Sequence, residues 1–377
     1  MKTASKRRRL VAPLLLLLIA AALAAVYLWE QNQPIKIGYT ASLSAFNSDL
    51  GISGRNGAML AVREMNEAGG IEGKKLMLVS KDDFADPDRA VEADEAFLKE
   101  NIRLIVGHMT SQMSIKTVPY INEQRMLMIS PTIALDSLSG QDDYFYRVIP
   151  TNKTQALSLS HRMTADGIRK IAVIIDKKNL LFTQTLQDLF LEDFRSSGGE
   201  VLCSCEFESA DQLADCAQRI NTRQPEGVLI IAAAESVAVF SQRMLQMGIE
   251  ARIYGPAWAM TTSLVENGGK SLEGAQFVSY FNNTSDALAY ARFREGYLAA
   301  YGSEPSFASC LAYESVQVLA EAIAACGSTD PAVLRQHLKT YPVFDGLNGP
   351  FSFDGFGDVN RPVYIYQIKD GQYQIVD

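Results

Sequence analysis

Two short stretches carry the residue types that could hold a small anion. Leu104-Ile105-Val106-Gly107-His108-Met109-Thr110-Ser111-Gln112 reads as a strand over Leu104–His108 that runs into two hydroxyl residues. Thr110 or Ser111 can cap the helix that follows. A helix N-terminus offers free backbone N–H groups and the positive end of a dipole, which suits a carboxylate. Capping alone would also account for both hydroxyls. Ile129-Ser130-Pro131-Thr132-Ile133-Ala134 is a second strand end of the same kind, with Thr132 supplying a hydroxyl.

Residues for bond-breaking chemistry are scarce. The three histidines, His108, His161 and His337, lie far apart and match no metal-ligand spacing. A lone strand-end histidine such as His108 reads first as structural. No G-x-S-x-G elbow occurs. Gly269-Lys270-Ser271 resembles the end of a phosphate loop, but Leu264 stands where the first glycine is required. Asp82-Asp83 and Asp142-Asp143 are adjacent pairs whose side chains diverge in extended chain. They read as turn and capping acids rather than a general acid/base couple. The chain is therefore not expected to be an enzyme or to need a cofactor.

The elements that must position these residues alternate between strand and helix, which implies mainly parallel sheets with helices packed on them. Strands are expected at Ile35–Tyr39, Leu76–Ser80, Leu104–His108, Leu127–Ser130, Lys170–Ile175, Gly227–Ala232 and Ala275–Tyr280. Ala58, Ala61, Val62 and Met65 fall on one helical face that stops at Gly69-Gly70. Further helices are expected over Pro87–Lys99, Thr183–Ser196, Asp211–Asn221 and Ser285–Tyr301. Lys170–Asp176 reads as a fresh first strand, so the 377 residues form two similar lobes rather than one long sheet.

Composition is that of a folded chain, 47% apolar and 21% charged. Lys6, Arg7, Arg8 and Arg9 precede an apolar run, Leu10–Trp29, broken only by Pro13. Such a segment directs export. Ala22-Leu23-Ala24 has the small-x-small form of a cleavage site, yet the run continues through Trp29 and is long enough to anchor in a bilayer. Residues 1–33 are thus a signal peptide or a signal anchor. Cleavage after Ala24 would leave 30 Lys+Arg against 43 Asp+Glu, a balance of −13, which disfavours nucleic acid as a partner. Of the five cysteines, Cys203, Cys205, Cys216, Cys310 and Cys326, a Cys205–Cys216 bridge and plain buried thiols are both open.

Residues 35–89 add the most specific pattern. The strand Ile35–Tyr39 enters a Ser/Asn-rich loop, a Gly-punctuated helix start, Asn66-Glu67-Ala68-Gly69-Gly70, the strand Leu76–Ser80 and Asp82-Asp83. This order resembles periplasmic amino-acid-binding proteins of the leucine/isoleucine/valine type, and stretches 104–134 and 346–372 resemble them too. The resemblance implies a type I periplasmic-binding-protein fold, α/β with two lobes and three interlobe crossings. It places one lobe at 35–151 plus 283–347 and the other at 152–282 plus 348–377. It implies a receptor that closes on a small organic ligand and hands it to an ABC importer permease. The rival roles are a membrane-tethered sensor for a signalling protein and a ligand-free envelope interaction protein.

By the same resemblance the ligand's carboxylate and amine would meet Met109, Thr110, Ser111, Thr132 and Ala134, the last standing where the family often carries Thr. The far wall would come from Asn152, the loop after Asp176, the segment around Ala234 and Gly255-Pro256-Ala257-Trp258. Tyr313 and Phe46 would complete the pocket. The sequence departs from the family where the ligand's ammonium is held. Ala257 and Asn152 occupy positions of acids, and Leu180, Ala234 and Leu50 occupy positions of tyrosines or other wall residues. An ammonium out of water without a counter-charge is costly. The expected ligand is therefore a carboxylate with an apolar or aromatic body, or an amide-like metabolite, with Trp258 as a flat apolar surface.

Overall fold

The computed structural model describes residues 33–45, 48–340 and 343–376. The export segment Leu10–Trp29 and Phe46 lie outside them. No helix of the described residues is long and apolar enough to cross a membrane.

The chain begins with β1 (Ile35–Ala41), α1 (Ser48–Glu67), β2 (Leu76–Asp82) and α2 (Pro87–Lys99). It continues through β3 (Leu104–Val106), α3 (Ser114–Gln124), β4 (Leu127–Ser130) and β5 (Phe145–Arg147). These five strands pair in parallel in the order β2-β1-β3-β4-β5. All residues of β3 and β4 are buried, as expected for inner strands covered on both faces. Pro87 opens α2 and the Asp86 carboxylate accepts from the N–H groups of Asp88 and Arg89, so this helix starts where its sequence says it should.

Helix α1 lies unusually close to its neighbours because it carries glycine on its packed face. A Cβ at Gly57 would stand 2.0 Å from the Ser309 carbonyl oxygen, and one at Gly51 would stand 2.0 Å from that of Ser42. Any larger residue would push α1 away from α10 at Gly57 and from the end of β1 at Gly51.

A second unit follows with α4 (Asn152–Ala165), β6 (Lys170–Asp176), α5 (Leu180–Ser196), β7 (Glu200–Phe207), α6 (Ala210–Arg223) and β8 (Gly227–Ile231). Next come α7 (Ala234–Met247), β9 (Arg252–Gly255), α8 (Thr262–Gly268) and β10 (Gln276–Ser279). Helices α9 (Leu288–Tyr301), α10 (Phe307–Cys326) and α11 (Pro331–Leu338) then return to the first unit, where α10 packs on α1. The hairpin β11 (Phe344–Gly346) and β12 (Gly349–Phe351) leads back to β13 (Tyr364–Lys369) and β14 (Gln372–Val376).

The second sheet runs β14-β13-β10-β9-β8-β6-β7. Its five inner-wound strands are parallel, and β13 and β14 add an antiparallel edge. Strands β7-β6-β8-β9-β10 repeat the winding of β2-β1-β3-β4-β5, so the molecule is two copies of one α/β plan.

Three passages join the lobes and are tied to each other. The Tyr280 hydroxyl donates to the Thr151 carbonyl at 3.0 Å. Asn348 accepts from the Asn282 N–H at 2.7 Å and donates to the Asn282 carbonyl at 3.0 Å. Buried Arg147 donates to Asp358 at 2.7 Å and to the Leu135 carbonyl at 2.7 Å.

All five cysteines are thiols. Cys205 on β7 and Cys216 on α6 are buried neighbours rather than a bridge. A hydrogen bond from the Cys216 thiol pulls Cys205 down to about 7.

Candidate functional site

In a sheet wound 2-1-3-4-5, the strand order reverses between the first and third strands, and loops leaving that point on opposite sides frame a crevice. Both sheets have this winding, and their crevices face each other. From the first come Leu50 at the start of α1, Met109, Thr110 and Ser111 after β3, and Thr132 after β4. From the second come Asn179 and Phe182 after β6, Gln155 on α4, and Ala257 and Trp258 after β9. Ile149 and Phe307 complete the wall around a cavity of about 20 Å³.

The structure thus brings Met109, Thr110, Ser111, Thr132 and Trp258 together across 150 residues of chain. Asn152, Ala134 and Tyr313 do not line this cavity. Asn152 is buried, its N–H donating to the Ala134 carbonyl at 2.7 Å and its side-chain amide to the Phe182 carbonyl at 3.3 Å. The residue one turn on, Gln155, takes the wall position instead. Its Oε1 accepts from the Ala257 N–H at 3.1 Å. Tyr313 turns away because Glu64 of α1 offers a carboxylate acceptor at 2.6 Å and Phe293 an edge-on ring at 4.8 Å. Ala234 is buried but is not a wall residue. Phe46 lies outside the described residues.

The loop after β3 is shaped differently from the expectation. β3 ends at Val106, because Gly107 has φ +143° and a Cβ there would meet the Thr40 carbonyl at 2.4 Å. Helix α3 begins only at Ser114, and neither Thr110 nor Ser111 caps it with a side chain. Residues 111–113 form a turn in which the Ser114 hydroxyl donates to the Ser111 carbonyl at 2.7 Å. The Ser111 hydroxyl is consequently free for another partner.

Beneath this loop His108 is fully buried between two carboxylates. Its ring nitrogens face Asp83 at 3.0 Å and Asp94 at 3.3 Å. Burial works against its charge, but Asp94 and the hydrogen bond to Asp83 outweigh that and hold it up at about 9. Asp94 is raised by burial, since one cation serves two acids. The cluster is structural: it fixes the chain that carries Met109, Thr110 and Ser111, while the His108 carbonyl accepts from Ser130 at 2.9 Å. Asp82 serves as the turn acid the sequence suggests, accepting from the Leu43 N–H at 3.0 Å and the Phe84 N–H at 2.8 Å.

The cavity's chemistry is polar but uncharged. Among the described residues no Asp, Glu, Lys or Arg lines it. The Thr132 hydroxyl donates to the Met109 carbonyl at 2.6 Å, which leaves its lone pairs to accept. Two polar atoms, Ser111 Oγ and Trp258 Nε1, are buried with no hydrogen-bond partner. Trp258 packs edge-on against Phe182, ring centres 5.6 Å apart. A buried donor left unmade costs about 1–3 kcal/mol, so two in one small cavity mark a place built for something else to bond.

Across the rim the lobes hold each other directly. The Gln112 N–H donates to Asn179 at 3.1 Å, and the Leu181 N–H donates to the Gln112 side chain at 3.3 Å. Opposite, Thr261 and Ser263 each donate to Asp49 at 2.8 Å. These contacts exist only with the lobes together.

Asn179 lies in the loop after Asp176 that the sequence places in the far wall, whereas Ile149, Gln155, Phe182 and Phe307 are wall residues that the sequence does not single out. Gln155 had a signal, since it lies one turn from Asn152 on the same helix face. The apolar ones had none, because a wall Phe and a core Phe are the same residue type.

Residues 34–372 match the model of a family described as periplasmic binding protein. The Leu/Ile/Val-binding protein homolog 2 of Brucella abortus (strain 2308) is 25% identical over 354 residues, covering 90% of this chain and 92% of the relative. Among solved structures, the branched-chain amino acid transporter substrate binding protein LivJ from Streptococcus pneumoniae, in complex with isoleucine, superposes with a TM-score of 0.84 at 23% identity, covering 91% and 99% of the two chains. An ABC transporter solute binding protein from R. palustris, in complex with benzoate, gives a TM-score of 0.84 at 18% identity, covering 91% and 95%.

Proposed function

The chain belongs to the periplasmic binding protein family, and on that premise we propose that it is an extracytoplasmic receptor for a small organic carboxylate that carries no ammonium group. It is a solute-binding protein by family and not an enzyme. We further propose that lobes 35–151 with 283–347 and 152–282 with 348–377 close on the ligand and present their joined surface to an ABC permease.

The observation that carries the ligand class is the cavity's polar inventory. Ser111 Oγ and Trp258 Nε1 are buried donors without partners, and among the described residues no acid lines the cavity to balance an ammonium. A carboxylate accepts from both donors and asks for no counter-acid. Trp258 and Phe182 provide apolar surface for its body. The benzoate-bound R. palustris relative is a binding protein of the same fold that takes such a molecule, and its aromatic acid is the natural first probe.

A thermal-shift screen of the protein as the cell exports it, against amino acids, aliphatic and aromatic carboxylates and short amides, tests this. A ligand that binds only the folded state raises the melting temperature. Stabilisation by carboxylates and not by leucine or valine supports the proposal, and micromolar binding of leucine would overturn it.

One observation favours the ligand-free interaction protein instead. The closed cavity, about 20 Å³, has room for about one water molecule. Silence across the whole panel would move the reading to that role.

A further inference from the structure

The central cavity is far smaller than any organic acid, yet it is not isolated. Phe307, the first residue of α10, lines it and also lines a lateral groove between the lobes of about 600 Å³. That volume falls in the ordinary range for ligand pockets, roughly 300–1,000 Å³. The groove's walls come from both lobes: Met260 and Thr261 after β9, Phe281 at a crossing, Tyr290 on α9, and Tyr366 and Tyr373 on the edge hairpin. Its outer rim carries the exposed Arg294–Glu304 ion pair.

Phe307 opens α10 and is a buried member of the hydrophobic core. It follows Ser306, whose hydroxyl meets that of Ser53 at 2.6 Å, and it keeps 7% of its surface exposed. Phe307 is thus shared by the walls of a donor-lined chamber and an aromatic-walled groove.

We propose that Phe307 is a movable partition, and that the ligand is an extended aromatic carboxylate. Its head sits against Ser111 and Trp258, and its body passes Phe307 into the lateral groove. This rests on the receptor reading above and deepens it. The occupant is argued from proximity: Phe307 lines both the chamber that holds the donors and the 600 Å³ aromatic-walled groove. Tyr290, Tyr366, Tyr373 and Phe281 suit a second ring, and displacement of Phe307 makes room for the head beside the donors.

Calorimetry on the exported protein with benzoate and with biphenyl-4-carboxylate tests it. The second ring adds the burial of about one phenyl group, so the biphenyl acid should bind at least about tenfold more tightly. Phe307→Ala should widen that ratio by removing the partition. Met260→Trp should narrow the groove and lower the ratio. Phe307→Leu guards against a folding defect in the alanine variant. If benzoate binds and the biphenyl acid binds no better, or if Met260→Trp leaves the ratio unchanged, the groove is not part of the site and only this inference falls. If neither acid binds, the inference falls together with the carboxylate reading.

Discussion

Asp49 and Thr261 meet across the interlobe cleft at 2.8 Å, and Ser263 donates to the same carboxylate oxygen at 2.8 Å. The neighbouring residue, Leu50, forms part of the cavity wall, and its N–H donates to Asp49 at 2.7 Å. One side chain thus links lobe closure to the shape of the site. Hydrogen bonds to a charged group contribute about 1.5–3 kcal/mol each before exposure weakens them. Asp49→Ala should therefore raise the open population of the ligand-free protein by about tenfold. Solution X-ray scattering should show a larger radius of gyration with little change in melting temperature. An unchanged profile would mean that closure is held elsewhere, with Gln112 and Asn179 as the next pair to cut.

The partnerless donors make a prediction in two parts. Trp258→Phe removes a buried N–H that has no acceptor and keeps an aromatic ring against Phe182. Ser111→Ala does the same for a buried hydroxyl. Without ligand, each variant should unfold at the same temperature as the parent or slightly higher, because an unmade bond is no longer carried. With a bound carboxylate each should lose about 1–2 kcal/mol of affinity, or roughly five- to thirtyfold. A clear loss of ligand-free stability in both would show that these atoms already have partners in the protein.

His108 sets a stability change at alkaline pH. Its folded value of about 9 stands above its ordinary 6.5. A raised value means that the folded state holds the proton more tightly. The stabilisation is complete below about 6.5 and is lost as pH rises through about 9. The gap corresponds to about 3 kcal/mol. Urea unfolding at a series of pH values should show the difference between the parent and His108→Gln shrinking over that window. A difference constant from pH 6 to 10 would place the proton elsewhere in the Asp83–His108–Asp94 cluster.

The fold was legible because its signals are local and repeated. Pro87 and Asp86 mark the start of α2, Gly69-Gly70 mark the end of α1, and mainly apolar runs mark β3, β4, β6 and β8. The lining of the candidate cavity was legible where hydroxyls follow strand ends, as at Thr110, Ser111 and Thr132. It was not legible where the deciding contact is distant. Tyr313 could have faced the cleft, and only Glu64, on a helix 249 positions away, turns it aside. The helix cap expected from Thr110 or Ser111 failed because Gly107 bends the chain out of β3 and delays α3 to Ser114. The β13–β14 hairpin did have a readable signal. Asp370-Gly371, both at positive φ, is the tight-turn pair that joins twisted antiparallel strands.

Asp176 at the end of β6 offers a test of what an acid costs beside this cleft. It is fully buried, and burial raises it to about 6 despite the hydrogen bond from the Lys178 N–H at 2.9 Å. Its second oxygen has no partner. A carboxyl raised above its ordinary value of 3.8 contributes stability that is present in acid and lost as pH climbs through about 6. At neutral pH the ionised group is a liability of about 3 kcal/mol. Asparagine keeps an oxygen for the Lys178 N–H and removes the charge. Asp176→Asn should match the parent near pH 4 and exceed it above pH 6, by a rise of roughly 5 °C or less in melting temperature for a chain of this size. Other carboxylates titrate in the same range, but they are common to both proteins, so the difference between the two curves isolates this one. A variant less stable than the parent at pH 7 would mean that the negative charge is needed where it stands, by a cation that ion pairing to Asp176 brings to the cleft edge.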